Sequence, residues 1–321
     1  MLDVDTGEVL AVVNQPTYNP NDRSQFSAER YRNRAVTDIF EPGSSIKPLV
    51  IAAALESGEF RPSSIIDTAP GYVTVGAKTI EDRRNLGRVS LTTILARSSN
   101  VGVTKLAMSL QPDQLWQTMT RFGLGSLTSS AFPGESAGLL THFSNWKPIS
   151  QATLAYGYGI SVTALQLAQA YAVLGNGGRM HPVSMVALEA PLEGEQVIAP
   201  DTATAVRRML EEVVRPGGTG TKAAVAGYRV AGKTGTAWKF AAGGYSEDKY
   251  ISIFAGLAPA SDPRLAAVVV IDEPSGELYY GSDVAAPVFA EAMTESLRLL
   301  AVPPDALPAR DPGSIMQAMS K

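Results

Sequence analysis

The chain has no cysteine, only two histidines, no block of like charge and no uninterrupted apolar run of membrane-spanning length. Without cysteine there is no disulfide, no thiolate nucleophile and no cysteine-held metal, although the compartment stays open. A net charge of −4 over 321 residues provides no basic surface, which argues against nucleic acid as a partner. The opening Met1 to Val13 lacks the charged-then-apolar order of a signal peptide. Nothing in the chain points to a metal or a cofactor. What is present, 45% hydrophobic and 18% charged, suffices to bury a large core in one large or two modest domains.

The stretch Glu41-Pro42-Gly43-Ser44-Ser45-Ile46-Lys47-Pro48 precedes an apolar run, Leu49 to Leu55, that stops at Gly58. This reads as a helix whose first turn carries a hydroxyl and an amine. Residues three apart share a face, so Lys47 stands beside Ser44. Serine is a poor nucleophile until a base takes its proton, and a lysine kept neutral by its surroundings can be that base. Pro48 has no N–H and is tolerated only where the helix has barely begun.

Taken in order, Leu2 to Val13 alternates around Asp5-Thr6-Gly7 as a β-hairpin, and Gln15 to Asn33 is a polar connection. Arg61 to Arg88 holds turns and short strand pieces such as Tyr72 to Val75. Its group Glu81-Asp82-Arg83-Arg84 reads as a solvated loop or the rim of a groove. Ser90 caps a helix to Arg97, and a second runs from Val101 to Leu110. Between them Ser98-Ser99-Asn100 prefers caps and turns. It is a helix connector, from which Ser98 and Asn100 could project into a cleft as proton carrier and amide holder. Further helices are expected from Pro112 to Gly123, Thr163 to Leu174 and over 201–215.

The pattern then turns to strands at Tyr228 to Phe240, Tyr250 to Pro259 and Leu265 to Ile271, an antiparallel meander. With the N-terminal hairpin it completes a sheet of about five strands, closed by an amphipathic helix from Val284 to Leu300. The expected class is therefore α+β: an antiparallel sheet from 1–14 and 228–272 flanked by helices, plus a mostly helical part over 41–215. The domain spans 1–308 and 309–321 form a tail. Lys233-Thr234-Gly235 lies on the first strand of the meander. Gly235 lets a ligand backbone approach the strand edge, and Lys233 and Thr234 offer a cation and a hydroxyl to a carboxylate.

Ser44-x-x-Lys47, Ser98-x-Asn100 and Lys233-Thr234-Gly235, in that order, resemble the signature of penicillin-binding proteins and serine β-lactamases. Leu2 to Asn21, Glu41 to Pro48, Phe132 to Glu135, Tyr156-Gly157-Tyr158-Gly159-Ile160-Ser161-Val162-Thr163 and Phe254-Ala255-Gly256 extend the likeness over about residues 2 to 308. They resemble the transpeptidase domain of the septal, cell-division class B penicillin-binding proteins. The resemblance implies Ser44 as acylated nucleophile, Lys47 as its base, Ser98 as proton relay and Asn100 as holder of the substrate amide. It implies Lys233 and Thr234, with Gly235 between strand and ligand, as the carboxylate site, and the backbone N–H groups of Ser44 and Thr236 as oxyanion hole. Tyr279 and Tyr280 would be aromatic walls.

The resemblance also implies the reaction, a D,D-transpeptidase acting on D-Ala-D-Ala stem peptides and inhibited by β-lactams. It further implies division-machinery membrane partners, including a lipid-II polymerase, and a periplasmic location with an N-terminal anchor and pedestal ahead of these residues. Ser45 and Ile46 depart from the common septal pattern, as does Thr234, where many septal enzymes carry Ser. Trp238 stands where close septal relatives often have a basic residue. Two alternatives follow from the same motifs. One is a β-lactamase or carboxypeptidase, with Glu135 imagined as deacylating base, and the other is a β-lactam sensor domain. The loop Ala241 to Asp248 is expected to be mobile, with Tyr245 or Tyr250 closing over a bound β-lactam.

Overall fold

The computed structural model describes residues 1–306 apart from 23, 25, 26, 242 and 243, and not the side chains of 241 and 247. Strand β1 (Leu2–Asp3) opens the chain, and helix α1 (Lys47–Glu56) follows a 3-10 turn at Gly43–Ile46. Two small ribbons come next: β2 (Ile65–Asp67) pairs with β5 (Arg88–Ser90), and β3 (Tyr72–Val75) with β4 (Lys78–Glu81). Helices α2 (Leu91–Ala96), α3 (Asn100–Ser109), α4 (Pro112–Arg121), α5 (Pro148–Leu154), α6 (Ala164–Gly175) and α7 (Pro200–Val214) build the helical part. The chain then forms β6 (Ala231–Ala241), β7 (Gly244–Ala258), β8 (Leu265–Asp272) and α8 (Ala286–Leu299).

The main sheet is antiparallel in the order β1-β8-β7-β6, with Val9 bridged to Leu2 at the place of a fifth strand. The turn at Asp5-Thr6-Gly7 forms, and the second arm of the expected hairpin pairs back as far as Ala11: Leu10 N donates to the Met1 carbonyl at 3.0 Å and the Met1 amine to the Ala11 carbonyl at 2.8 Å. The Val9 N–H is taken by the Ser184 carbonyl, and Val13 lies exposed. α8 buries Phe289, Met293 and Leu297 on one face of the sheet, where Phe289 meets Phe254 at 4.7 Å between ring centroids. The helical part covers the other face.

α1 is buried from Lys47 to Ala54, so it is apolar all round except for one amine. That is the sequence property which sends this helix to the centre and carries Lys47 with it. α6 is likewise buried, and its Tyr171 hydroxyl donates to the Ser45 carbonyl at 2.8 Å, fixing the turn ahead of α1. The caps read from the sequence form as expected: Ser90 accepts from Thr93 N, and Thr163 makes a capping box with Gln166. The sequence pattern did not single out α5. It is seven residues long, and its Gln151 is buried to cap α3 by donating to the carbonyls of Ala107 and Leu110.

The segment read as a loop over 241–248 instead prolongs the hairpin. Phe240 pairs with Tyr245, and Ala241 with Gly244, while residues 242 and 243 lie outside the described residues. The alternation of Tyr245, Glu247 and Lys249 was masked by the glycines before it. The proposed tail, 309–321, also lies outside the described residues. Among the described residues no helix is long and apolar enough to cross a membrane.

Candidate active site

The 3-10 turn holds Ser44 half-buried at the floor of a cleft of about 840 Å³. The same cleft is lined by Ser98, Asn100, Thr234, Gly235, Thr236, Trp238, Tyr250, Tyr279 and Tyr280. Among the described residues the Ser44 hydroxyl has no hydrogen-bond partner. It is therefore free to meet a ligand, with Lys47 one turn on at the start of α1.

Three backbones meet around Ser44, and glycine makes that possible. The Gly235 Cβ position would lie 2.7 Å from the Pro42 carbonyl and 3.4 Å from the Ser45 Cβ. Gly157, at φ +89°, has its Cβ position inside the backbone of Gly43, whose N–H donates to the Gly157 carbonyl at 3.2 Å. The missing Gly235 side chain thus serves the nucleophile turn, which packs directly on β6. The outer edge of β6 is unpaired in the sheet and remains available along the cleft. Gly235→Ala is expected to push the turn away from β6. It should cost about 1–3 kcal/mol in thermal or denaturant unfolding, and slow penicillin acylation by roughly tenfold or more. Unchanged values of both would mean the turn does not need this contact.

Ser98 is the meeting point of two buried amines. Lys47 Nζ donates to the Ser98 carbonyl at 2.6 Å, Asn100 Oδ1 at 2.7 Å and Ser98 Oγ at 3.2 Å. Lys233 Nζ donates to the same Ser98 Oγ at 3.0 Å and to the Thr234 carbonyl at 3.1 Å. Ser98 adopts φ +57°, a left-handed conformation that a non-glycine residue holds at a cost of about 1–3 kcal/mol. That conformation is what turns both its carbonyl and its hydroxyl toward the amines.

Both lysines are fully buried. Burial pushes the Lys233 ammonium down to about 7. Lys47 is held well below the ordinary lysine value, first by burial and then by the charge of Lys233, with Asp82 opposing. Burial and the neighbouring Lys233 charge both favour the neutral form of Lys47. A neutral amine beside an unbonded serine hydroxyl is a base beside its nucleophile.

Asp82 anchors this connector and was read in the sequence only as part of a charged group. Its carboxylate accepts from Ser99 Oγ at 2.5 Å, Asn100 N at 2.6 Å and Val101 N at 3.1 Å. It thereby caps α3 and fixes the residues that follow the Ser98 bend. Asp82→Asn is expected to lose about 1–3 kcal/mol of stability and to lower the acylation rate. Because the Asp82 charge supports the protonated form of Lys47, its loss should move the acid limb of the acylation pH profile to lower pH. An acid limb that stays put would leave Asp82 a purely structural cap.

Thr219, in the glycine-rich loop after α7, is a second cleft residue absent from the sequence motifs. It accepts from Thr234 Oγ1 at 3.3 Å. The string Pro216-Gly217-Gly218-Thr219-Gly220 marked a turn but gave no indication of what it faced. Tyr279 and Tyr280 line the cleft, and Tyr279 stacks on Tyr250 at 4.0 Å. Tyr245 does not line it. Its hydroxyl donates to Glu41 Oε1 at 2.9 Å and its ring stands edge-on to Tyr158. Glu41 Oε1 also accepts from Gly159 N at 2.7 Å, tying the hairpin and the 156–159 loop to the nucleophile turn. Glu135 is far from being a free base: it accepts from Thr128 N, Thr128 Oγ1 and Ser130 Oγ within its own loop.

A serine at a helix start, a buried lysine held well below its ordinary value and a second buried lysine joined to it through a serine hydroxyl define a serine acyl-transfer site. The chain matches the family described as "Penicillin binding protein transpeptidase domain" over residues 1–294, and it belongs to that family. It is 45% identical over 311 residues to the peptidoglycan D,D-transpeptidase FtsI of Escherichia coli strain K12, covering 97% of this chain and 53% of that protein. It is 43% identical over 304 residues to the Neisseria flavescens protein named "Probable peptidoglycan D,D-transpeptidase PenA", covering 95% and 76%. Among solved structures, the apo transpeptidase domain of Burkholderia pseudomallei penicillin-binding protein 3 is similar with a TM-score of 0.87 and 40% identity, covering 96% of this chain and 88% of that one. The chain thus spans about half the length of the Escherichia coli relative.

Proposed function

We propose that this domain is a serine D,D-transpeptidase that cross-links peptidoglycan stem peptides during septal wall synthesis and is acylated by β-lactams. The observation that carries the reading is the Ser98 hydroxyl held between the buried Lys47 and Lys233 amines at the cleft that Ser44 opens into. Lys47 takes the Ser44 proton as Ser44 Oγ attacks the carbonyl between the two D-alanines. Ser98 passes a proton to the departing D-alanine amine, and the acyl group stays on Ser44 until an amine of a second stem peptide takes it.

Asn100 holds the substrate amide, and Lys233 with Thr234 binds the terminal carboxylate. The N–H groups of Ser44 and Thr236 receive the oxyanion, which develops only in the tetrahedral intermediate. Tyr250, Tyr279, Tyr280 and Trp238 wall the side-chain end of the cleft, and the β6 edge pairs with the donor backbone. Peptidoglycan is cross-linked outside the cytoplasmic membrane, so the domain works at the periplasmic face. There it acts beside division-machinery membrane proteins that include a lipid-II polymerase.

The hydrolytic alternative needs a deacylating base, and the hydrogen bonds on Glu135 leave that residue committed to its own loop. The test is intact mass followed over time after one penicillin dose. A stoichiometric adduct lasting many minutes, with D-alanine release and dimer formation from stem peptides, supports the transpeptidase. Rapid return to the free mass would assign a β-lactamase. A lasting adduct without any product from stem peptides would assign a sensor.

A further inference from the structure

We propose that Arg83, Arg84 and Arg97 form a subsite for a second carboxylate of the stem peptide, apart from its D-alanine terminus. The proposal rests on the transpeptidase reading and names what that substrate must carry. All three side chains are exposed and line the same cleft as Ser44. Among the described residues none of the three is paired with a carboxylate. The acids nearby are largely committed: Asp82 holds the start of α3, and Asp283 pairs with Lys222 at 2.8 Å. Glu81 alone is left against three guanidinium groups.

The Arg83 guanidinium lies 4.6 Å over the Tyr280 ring. Stacking uses the face of the guanidinium and leaves its in-plane N–H fork for a carboxylate. Lys233, which serves the terminal carboxylate, is buried behind Ser98, so the rim is a separate positive site. A cleft of about 840 Å³ also exceeds what two alanines fill, and it leaves upstream residues of the peptide beside the rim. Two parts of a stem peptide supply such a group: the α-carboxylate of a γ-linked D-glutamate at the second position, or a side-chain carboxylate at the third.

The test is competition with a fluorescent penicillin by three acetylated peptides ending in D-Ala-D-Ala. One is neutral, one has a carboxylate at the second position, and one has it on the third side chain. Each protein's labelling rate is normalised to its own uninhibited rate, so altered reactivity cancels. Wild type is expected to be protected by one anionic peptide at roughly five- to tenfold lower concentration than by the neutral one, a preference that shrinks with added salt. Which peptide shows it identifies the carboxylate.

The triple variant Arg83→Ala, Arg84→Ala, Arg97→Ala should bring the ratio to about one. The single variant Arg84→Glu, the milder change should the triple fail to fold, should reverse it in favour of the neutral peptide. Equal protection of wild type by all three peptides overturns the subsite, as does a preference that survives in the triple or the Arg84→Glu protein. Protection with no D-alanine release would overturn the transpeptidase reading while leaving the subsite standing.

Discussion

Ser44→Ala is expected to leave a folded protein that gains no mass from penicillin at any time. The substitution removes one hydroxyl oxygen that has no hydrogen-bond partner among the described residues. The turn that carries it is held by backbone packing on β6 and by the Tyr171 bond to Ser45. Stability should therefore move by no more than about 0.5 kcal/mol. Without the hydroxyl no acyl bond can form, and D-alanine release from stem peptides should fall by roughly 10⁴–10⁶-fold, as when other serine nucleophiles are removed. An adduct that persists in the variant would mean another residue is acylated.

Lys47→Ala is expected to slow acylation by roughly 10²–10⁴-fold, the usual contribution of a positioned base. The variant also strips the partners from the Ser98 carbonyl and Asn100 Oδ1, so packing and base roles must be separated. Lys47→Arg does this, because a guanidinium keeps N–H donors for both but cannot accept a proton at working pH. Acylation by Lys47→Arg within tenfold of wild type would remove Lys47 from the base role.

The pH profile of wild type gives an independent readout. Only neutral Lys47 is a base, so the rate rises with pH through its depressed pKa. Only charged Lys233 attracts a carboxylate, so kcat/KM falls as pH rises through its value of about 7 in the free protein. A bell with its descending limb near neutrality is the expected shape. A rate that only begins to rise near 10 would place the proton on Lys47 and defeat the scheme.

Most of the site was legible because its residues come in short local groups whose types have few other uses together. Ser44 and Lys47 are one helical turn apart, Pro48 announces the helix start, and Ser98-Ser99-Asn100 interrupts two apolar helices. Asp82 and Thr219 were not legible as site residues. A carboxylate in a charged loop, and a threonine among glycines, look solvated until the fold shows what they face. The hairpin at 241–248 was missed for a related reason, since its glycines and charges outweighed a pairing that is only apparent once β6 and β7 are aligned. Tyr245 likewise could not be told from Tyr250 by spacing. Their places differ because Glu41 takes the hydroxyl of one and Tyr279 stacks on the other.

By itself the sequence determined most of the element types, the order of the three motifs and the apolar character of α1, since local hydrophobic period, caps and turn residues act over a few positions. Tertiary structure alone decided that Lys47 and Lys233, 186 positions apart, end on one Ser98 hydroxyl, and that Asp82 rather than solvent holds that serine's neighbours. It also decided that both lysines fall below the ordinary lysine value. A pKa depends on burial and on nearby charge, and both exist only once residues distant in the chain exclude water from the same small volume.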